Sequence, residues 1–249
     1  MLLRNRTAIV YGAGGSVGGA IARAFAREGA EVHLVGRTAV TLDAVAEDIT
    51  AAGGRAHAAL VDALDEAQVE AHAATVGRLD VSVNVISDQD VQGTPMVDMS
   101  VEDYLRPIEV AVRAKFLTAR AAARRMVAQR SGVIMTFGGT FDWHAARKFH
   151  VGGIGVTFDA VEAMRRQLAC ELGPYGIRVL TLRTSGLPET IPTDYPGSDE
   201  LRSWLRNQTL TGQAATLEDV GNLAALAASD LARTLTGAAL NMTVGAVLD

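Results

Sequence analysis

The stretch TAIVYGAGGSVGGAIARAF, residues 7–25, decides the fold of this chain. Its first five residues, Thr7–Tyr11, form a short apolar run that is typical of a buried strand. Glycines follow, and Val17–Glu28 then carries apolar residues at helical spacing. A glycine bend at the positive end of a helix dipole lets the backbone approach a diphosphate closely. An ordinary strand–helix turn is the alternative interpretation of these glycines.

Strand-like and helix-like periods alternate along the rest of the chain. Further strands are predicted at Glu31–Val35, Ala56–Leu60, Val81–Ile86, Val133–Phe137, Val179–Leu182 and near Ala239–Met242. Further helices are predicted at Leu42–Ala52, Ala67–Val76, Val101–Arg130, Ile154–Leu172 and after Thr216. The alternation predicts an α/β fold of Rossmann type, a doubly wound parallel sheet of about seven strands with helices on both faces.

Ligands bind such sheets beyond the carboxyl ends of the strands, where the strand order reverses. We therefore expect the site in the loops that follow the first, fourth, fifth and sixth strands. These loops are Gly12–Gly18, Ile86–Pro95, Gly138–Gly153 and Arg183–Gly212.

Composition narrows the class of protein. The 249 residues contain no linker and no internal repeat, so we expect one domain over residues 1–249. A net charge of −5 argues against a nucleic-acid partner, and apolar runs such as Val151–Phe158 are too short to span a membrane. The single cysteine, Cys170, lies in a helical pattern among apolar neighbours and is predicted to be an inert core thiol. One cysteine cannot form an internal disulfide, which fits a cytoplasmic location.

Several motifs occur in a familiar order. Gly12, Gly15 and Gly18 follow the first strand, Asp62 follows the third, and Asn84 lies in the sequence VNVIS at the fourth. GPYGIRVLTLR (173–183) and TLEDVGNLAALAASDLARTLTGAALNM (216–242) complete the series. Together these motifs resemble the short-chain dehydrogenase/reductase family over nearly the whole chain. The first turn departs from the commonest pattern, because Ser16 stands where most members of this length have glycine.

The resemblance implies a nicotinamide dinucleotide cofactor. The second strand ends at Gly36 and Arg37 with no acidic residue to bond the ribose hydroxyls of NAD. An arginine there can grip a 2′-phosphate, so NADP(H) is favoured and NAD(H) is not excluded. A solvent-exposed arginine that caps a helix is the alternative interpretation. The expected cofactor-binding residues are Gly12, Gly15, Ser16, Val17, Gly18, Arg37, Asp62, Ala63, Asn84 and Ile86.

The residues that do the chemistry in this family are missing. Members use a tyrosine as acid and base, four residues before a lysine that stabilises the phenolate. Here Tyr11, Tyr104, Tyr175 and Tyr195 are followed four residues later by Gly15, Ile108, Val179 and Asp199. The resemblance puts the expected pair at Ile154 and Phe158, the serine at Gly139 and the helix asparagine near Ala111.

The loop TFDWHAARKFH, residues 140–150, is rich in groups that could replace them. His144 precedes Lys148 by four residues, and a histidine can act as acid or base near neutral pH. A purely solvated polar loop is the alternative interpretation. The candidate catalytic residues are Thr140, His144, Lys148 and His150. No third ligand at suitable spacing joins His144 and His150, so we expect no metal site.

Other pocket candidates follow the fourth and sixth strands. Asp88 and Asp90 are either pocket residues or turn residues. The segment from about 187 to 212 has the place and polarity of the family's substrate lid, in which Tyr195 and Trp204 could contact a substrate, although Trp204 could equally anchor the lid. Lys115 lies one turn beyond Ala111 and could reach the pocket, but we favour a helix-surface or interface position for it.

These observations support an NADP(H)-dependent oxidoreductase with a non-standard active site, acting on an unknown small molecule. Alternatives are a nucleotide-binding protein without turnover, with a sensing or scaffolding role, and a non-redox enzyme that reuses the fold. By resemblance we also expect a homotetramer or homodimer, since the Ala-rich faces of 119–126 and 156–172 permit close helix packing.

Overall fold

The computed structural model describes residues 1–195 and 197–248. The strands are β1 (Thr7–Tyr11), β2 (Glu31–Gly36), β3 (Arg55–Leu60), β4 (Val81–Asn84), β5 (Gly132–Gly139), β6 (Ile177–Thr184) and β7 (Ala238–Asn241). They form one sheet, all parallel, with the order β3-β2-β1-β4-β5-β6-β7. The strand order reverses between β1 and β4, where residue Tyr11 lies opposite Asn84.

Helices cover both faces of the sheet. The helices are α1 (Ser16–Arg27), α2 (Ala39–Ala51), α3 (Glu66–Thr75), α4 (Val101–Gln129), α5 (Trp143–Ala146), α6 (Ile154–Leu172), α7 (Ser198–Asn207) and α8 (Leu217–Ala228). One buried cluster joins the sheet to α1, α2 and α8, and a second joins it to α3, α4 and α6. The predicted doubly wound α/β fold is confirmed. Within the described residues no helix is long and apolar enough to cross a bilayer.

Two of the element ends that differ from the predictions are the end of β4 and the start of α2. The predicted strand at Val81–Ile86 ends at Asn84, whose side-chain carbonyl accepts a hydrogen bond of 3.0 Å from the Ile86 backbone N–H. This bond turns the chain out of the sheet. Helix α2 begins at Ala39, three residues before the predicted Leu42. The prediction missed this first turn because its residues are exposed and show no apolar periodicity.

The longest strands are β5 and β6, with eight residues each. Strands β5 and β6 pair from Gly132↔Ile177 to Gly139↔Thr184, whereas β4 stops opposite Thr136. The last three residues of β5 therefore project past the end of β4 and form a floor beside the switch point. Each of the two long polar loops contains a short helix, α5 in the loop after β5 and α7 in the predicted lid. Pro196, within that lid, and Asp249 lie outside the described residues.

The prediction for Cys170 was wrong. Its thiol is exposed on α6 and does not belong to the core. The helix buries Val161, Arg165 and Leu172 at helical spacing, and Cys170 lies on the opposite side, nine residues or about 180° from Val161. The apolar neighbours in the sequence misled the prediction because adjacent helical residues point in different directions.

Candidate functional site

The glycine bend after β1 is closely packed. Gly12 has a φ of +89°, and a Cβ there would lie 3.1 Å from the carbonyl of Val85. A Cβ on Gly18 would overlap the Gly12 carbonyl oxygen and lie 2.9 Å from Ala13 Cα. A Cβ on Gly15 would meet only the Gly12 oxygen, at 3.5 Å, so this residue faces open space. The first and last glycines are thus required by the protein itself, whereas Gly15 leaves room for a ligand.

Helix α1 starts at this bend without a side-chain cap. Its N-cap residue is Gly15, which offers no side-chain acceptor to the first-turn N–H groups, including those of Ser16 and Val17. The first turn also contains no acidic residue. The positive end of the helix dipole therefore faces the switch point uncompensated, which favours an anion there.

Arg37 follows the end of β2 and is exposed. None of its nitrogens has a hydrogen-bond or ion-pair partner among the described residues. The side chain therefore does not serve as a helix cap, and its guanidinium is available to an anionic group at this edge of the sheet.

Asp62, Ala63, Asn84 and Ile86 follow the neighbouring strands. One carboxylate oxygen of Asp62 accepts the Leu64 N–H at 3.0 Å, and the Asn84 amide donates to the Thr118 hydroxyl at 2.9 Å. Asn84 and Ala63 are buried, while Asp62 and Ile86 are partly exposed. The structure thus brings all ten residues of the expected cofactor set to the carboxyl edge of strands β1 to β4.

A cavity of about 700 Å³ opens beside this edge, over the projecting ends of β5 and β6. Much of its wall is aromatic. The rings that line it are Phe137, Phe141, Phe149, Phe158, Tyr195 and Trp204. Phe149 and Trp204 pack edge to face with centroids 4.6 Å apart, and the Phe141 and Phe158 rings are tilted against each other at 6.1 Å. Both predicted lid contacts, Tyr195 and Trp204, therefore lie at the cavity.

The four candidate catalytic residues separate into two groups. Thr140, Lys148 and His150 line the cavity, whereas His144 does not and instead lies 3.2 Å from Arg147 Nη1. The Lys148 ammonium lies 4.9 Å from the Phe149 ring centroid and 5.2 Å from that of Trp204. Cation–π attraction thus holds this lysine against the rings. No group of three or more His, Cys, Asp or Glu residues in the described part of the chain could hold a metal ion.

Three of the four positions that the family resemblance singles out lie at the cavity. Gly139, Ile154 and Phe158 all line the cavity, and Ala111 is buried in α4. A Cβ on Gly139 would overlap the Phe158 ring. The ring therefore fills the space that a serine side chain at residue 139 would need.

This overlap predicts an energetic coupling between the two residues. Replacing Gly139 by serine is expected to lower the free energy of unfolding by about 2 kcal/mol, because the new side chain overpacks the floor. In a Phe158→Ala background the same serine should cost about half as much, because the ring no longer occupies its space, and a double-mutant cycle in urea measures the coupling. Gly77→Ser, in open space, is the matched control. Additive effects of the two substitutions would contradict the predicted contact.

Sequence reasoning missed one feature of the site. Lys115 is not on the helix surface as predicted: it is 1% exposed, and its ammonium contacts Asp88. Asp88 and Asp90, the two pocket candidates after β4, both line the cavity. The sequence did contain a signal that Lys115 is buried. Its neighbours on the same face of α4 are Ala111, Ala114 and Thr118, which form part of the buried stripe of this helix.

The doubly wound parallel sheet with a glycine bend at its switch point defines a dinucleotide-binding α/β protein. A family model described as enoyl-(acyl carrier protein) reductase matches residues 12–246. The chain belongs to this family, within the short-chain dehydrogenases/reductases.

The relatives cover nearly the full chain. It is 33% identical to L-rhamnose 1-dehydrogenase (NAD(P)(+)) of Azotobacter vinelandii, with 96% of each chain covered. It is 26% identical to gluconate 5-dehydrogenase of Gluconobacter oxydans over 98% of this chain and 95% of the relative. A short-chain type dehydrogenase/reductase from Mycobacterium ulcerans matches with a TM-score of 0.88 and 26% identity, covering 99% of this chain and 91% of that one. A short chain dehydrogenase from Burkholderia cenocepacia in complex with NADP matches with a TM-score of 0.83 and 27% identity, covering 99% of each.

Proposed function

We propose that this chain is an NADP(H)-dependent oxidoreductase that works without the tyrosine–lysine pair of its family. The observation that carries the proposal is the shared carboxyl edge of the sheet: an uncapped glycine bend, an arginine with no partner among the described residues, and an aromatic cavity all lie along this edge. Gly12, Gly15, Ser16, Val17 and Gly18 would hold the diphosphate. Bound there, the dinucleotide supplies a hydride or accepts one.

The other cofactor residues have separate tasks. Arg37 would pair with the 2′-phosphate, Asp62 and Ala63 would line the adenine, and Asn84 and Ile86 would flank the central ribose. NAD(H) fits the same turn but leaves Arg37 without a partner. The relatives support this proposal, since one is named for NAD(P)(+) and another was solved with NADP.

Arg37→Ala tests the cofactor preference. We expect the Kd for NADPH to rise about tenfold, which corresponds to about 1.4 kcal/mol, because a charge-assisted pair to phosphate is lost. The Kd for NADH should change less than about twofold. Fluorescence titration of the reduced dinucleotides measures both constants.

The matched control for this substitution is Arg233→Ala. Arg233 is also exposed, but it borders a cavity shared with Arg6 and Asp80, which lie at the opposite, amino edge of the sheet. An equal loss of NADPH and NADH affinity in Arg37→Ala, or no loss of either, would contradict the assignment.

The cavity also supports a proposal about the substrate. Two relatives are named for rhamnose and gluconate, which are rich in hydroxyl groups. The six aromatic rings of this cavity favour a bulky molecule with a large apolar face, which the polar residues of the lining then orient. Without a phenolic acid at residue 154, an activated alkene or an imine suits the site better than a simple ketone.

A substrate panel tests the proposed activity. The panel contains aromatic enones, cyclic imines, aryl ketones, rhamnose and gluconate, and NADPH consumption or NADP⁺ reduction is followed by absorbance. We expect turnover with apolar enones or imines and none with the two sugars. NADPH binding without NADPH consumption on any substrate would favour the alternative, a nucleotide-binding protein without turnover. The apolar pair Ile154 and Phe158 is consistent with that alternative.

A further inference from the structure

An ion pair is buried beside the cavity. Lys115, one of the two lysines in the chain, is 1% exposed in the middle of α4. Its Nζ donates to Asp88 Oδ1 at 2.5 Å. Within the described residues Asp88 is the only partner of this ammonium, so two of its three N–H donors have none. Burying such a charge is costly unless it is paired.

Asp88 connects this buried charge to the cavity. It lies in the loop after β4, lines the cavity together with Gly139, Ile154 and Phe158, and its side chain is 14% exposed. These three residues of the cavity lining occupy the positions where the family resemblance expects the serine, the tyrosine and the lysine. Among the described residues that line the cavity, Asp88 is the one whose carboxyl pairs with a buried ammonium.

We propose that Asp88 is the acid and base of the reaction and that Lys115 is the positioning residue that holds it and balances its charge. The proposal rests on the proposed oxidoreductase function. In reduction, the substrate carbon of a C=C or C=N bond accepts a hydride from the reduced nicotinamide, forming a C–H bond. The π electron pair moves to the other atom of that bond, which takes the proton of Asp88 as the carboxyl O–H bond breaks.

The step balances in charge and electrons. The substrate gains a hydride, which carries both electrons and would come from the reduced dinucleotide, and a proton, which comes from Asp88. Asp88 is left as a carboxylate paired with Lys115. A proton from water that enters the cavity restores the acid. Oxidation of an amine or a saturated bond follows the same path in reverse, with the Asp88 carboxylate as base.

The surroundings suit a proton-carrying carboxyl. Burial raises the pKa of Asp88 above its usual range, the Lys115 charge and hydrogen bond oppose this, and the nearby Asp90 adds to the increase. Lys148 and His150 from the loop after β5, and Glu200 from α7, also line the cavity. A raised pKa brings the Asp88 carboxyl closer to neutral pH, and general acid catalysis is most efficient when the pKa of the acid lies near the working pH.

Three of the other candidates are less suited to this role. His144 lies outside the cavity wall, and the ammonium of Lys148 is held against two rings. The hydroxyl of Thr140 is a far weaker acid than a carboxyl.

Carbon-13 NMR of aspartate-labelled protein tests the proton affinity without any turnover. Asp88→Asn identifies the Asp88 carboxyl signal. We expect it to titrate above the value of about 3.9 for an unperturbed aspartate, and to titrate higher by at least about one pH unit in Lys115→Met, where the counter-charge is lost. A purely structural ion pair would keep the carboxyl ionised to lower pH than usual. That result, a titration below the unperturbed value, would overturn the proposal. If Lys115→Met does not fold, the titration of Asp88 in the wild-type protein decides between the two outcomes. Lys115→Arg then serves as the variant that keeps the positive charge.

Kinetics on the best panel substrate supply the second readout. In Asp88→Asn we expect kcat to fall at least about 100-fold and the remaining rate to lose its pH dependence, while the Kd for NADPH stays within about twofold. Asp98→Asn, an exposed aspartate in the same loop, is the matched control. Unchanged turnover in Asp88→Asn overturns the proposal.

The two proposals fail in different ways. Wild-type protein that does not bind NADPH contradicts the proposed oxidoreductase, and the NMR titration still reports whether Asp88 carries a proton. NADPH binding together with a depressed Asp88 titration contradicts the acid–base assignment alone.

Discussion

Replacing Gly18 by alanine is expected to raise the Kd for NADPH at least 100-fold and to lower the melting temperature by several degrees. The added Cβ overlaps the carbonyl oxygen of Gly12 and lies 2.7 Å from its carbonyl carbon. Backbone cannot move aside as a flexible side chain can, so the first turn of α1 must shift away from β1. That shift displaces the N–H groups proposed to face the diphosphate, and the overpacking costs about 1–3 kcal/mol.

Fluorescence titration with NADPH and thermal denaturation measure the two effects of Gly18→Ala. The matched control is Gly77→Ala, because a Cβ on Gly77 meets no atom within 4 Å. We expect this control to bind NADPH and melt like the wild-type protein. NADPH affinity within about threefold of wild type in Gly18→Ala would mean that the bend is not the diphosphate site.

Replacing Asp80 by alanine is expected to lower the free energy of unfolding by about 3 kcal/mol, the second large effect. The Asp80 side chain is 1% exposed and accepts hydrogen bonds from Arg78 Nε at 2.8 Å, the Thr7 N–H at 3.0 Å and Arg6 Nη1 at 3.2 Å. Its loss leaves the Thr7 N–H without its acceptor and removes two ion pairs. The carboxylate ties the start of β1 to the start of β4, so the register of the central strands depends on it.

Urea denaturation measures the stability of Asp80→Ala against that of Asp48→Ala. The Asp48 carboxylate also pairs with an arginine, Arg23, but its side chain is 60% exposed, so removing it should cost less than about 1 kcal/mol. NADPH affinity should remain within about twofold in folded Asp80→Ala, because Asp80 lies at the edge of the sheet opposite the glycine bend. Equal destabilisation by the two substitutions would contradict this account.

Local patterns predicted much of the architecture. The bounds predicted for β1 and α6 agree with the structure, because a buried parallel strand and a long helix each carry an apolar period of their own. Helix α7 was not predicted, although Leu201, Trp204 and Leu205 recur at helical spacing. Its short length and high polarity hid that period. The expected cofactor set converged on one edge since the carboxyl ends of parallel strands must meet there.

The oligomeric state and the single-domain organisation stay predictions. So do the roles of the cofactor residues and of Thr140, His144, Lys148 and His150. The structure narrows this last group by position, since His144 lies away from the cavity.

The sequence by itself determined the alternating α/β order, the glycine bend, and the absence of any tyrosine with a lysine four residues later. Each of these depends only on residues that are near one another along the chain. The tertiary structure alone decided which groups meet at the cavity. Lys115 reaches Asp88 across 27 residues, and Phe158 covers Gly139, because α4 and α6 pack against the ends of β4 and β5. No local period encodes such contacts, since they follow from how separate elements dock.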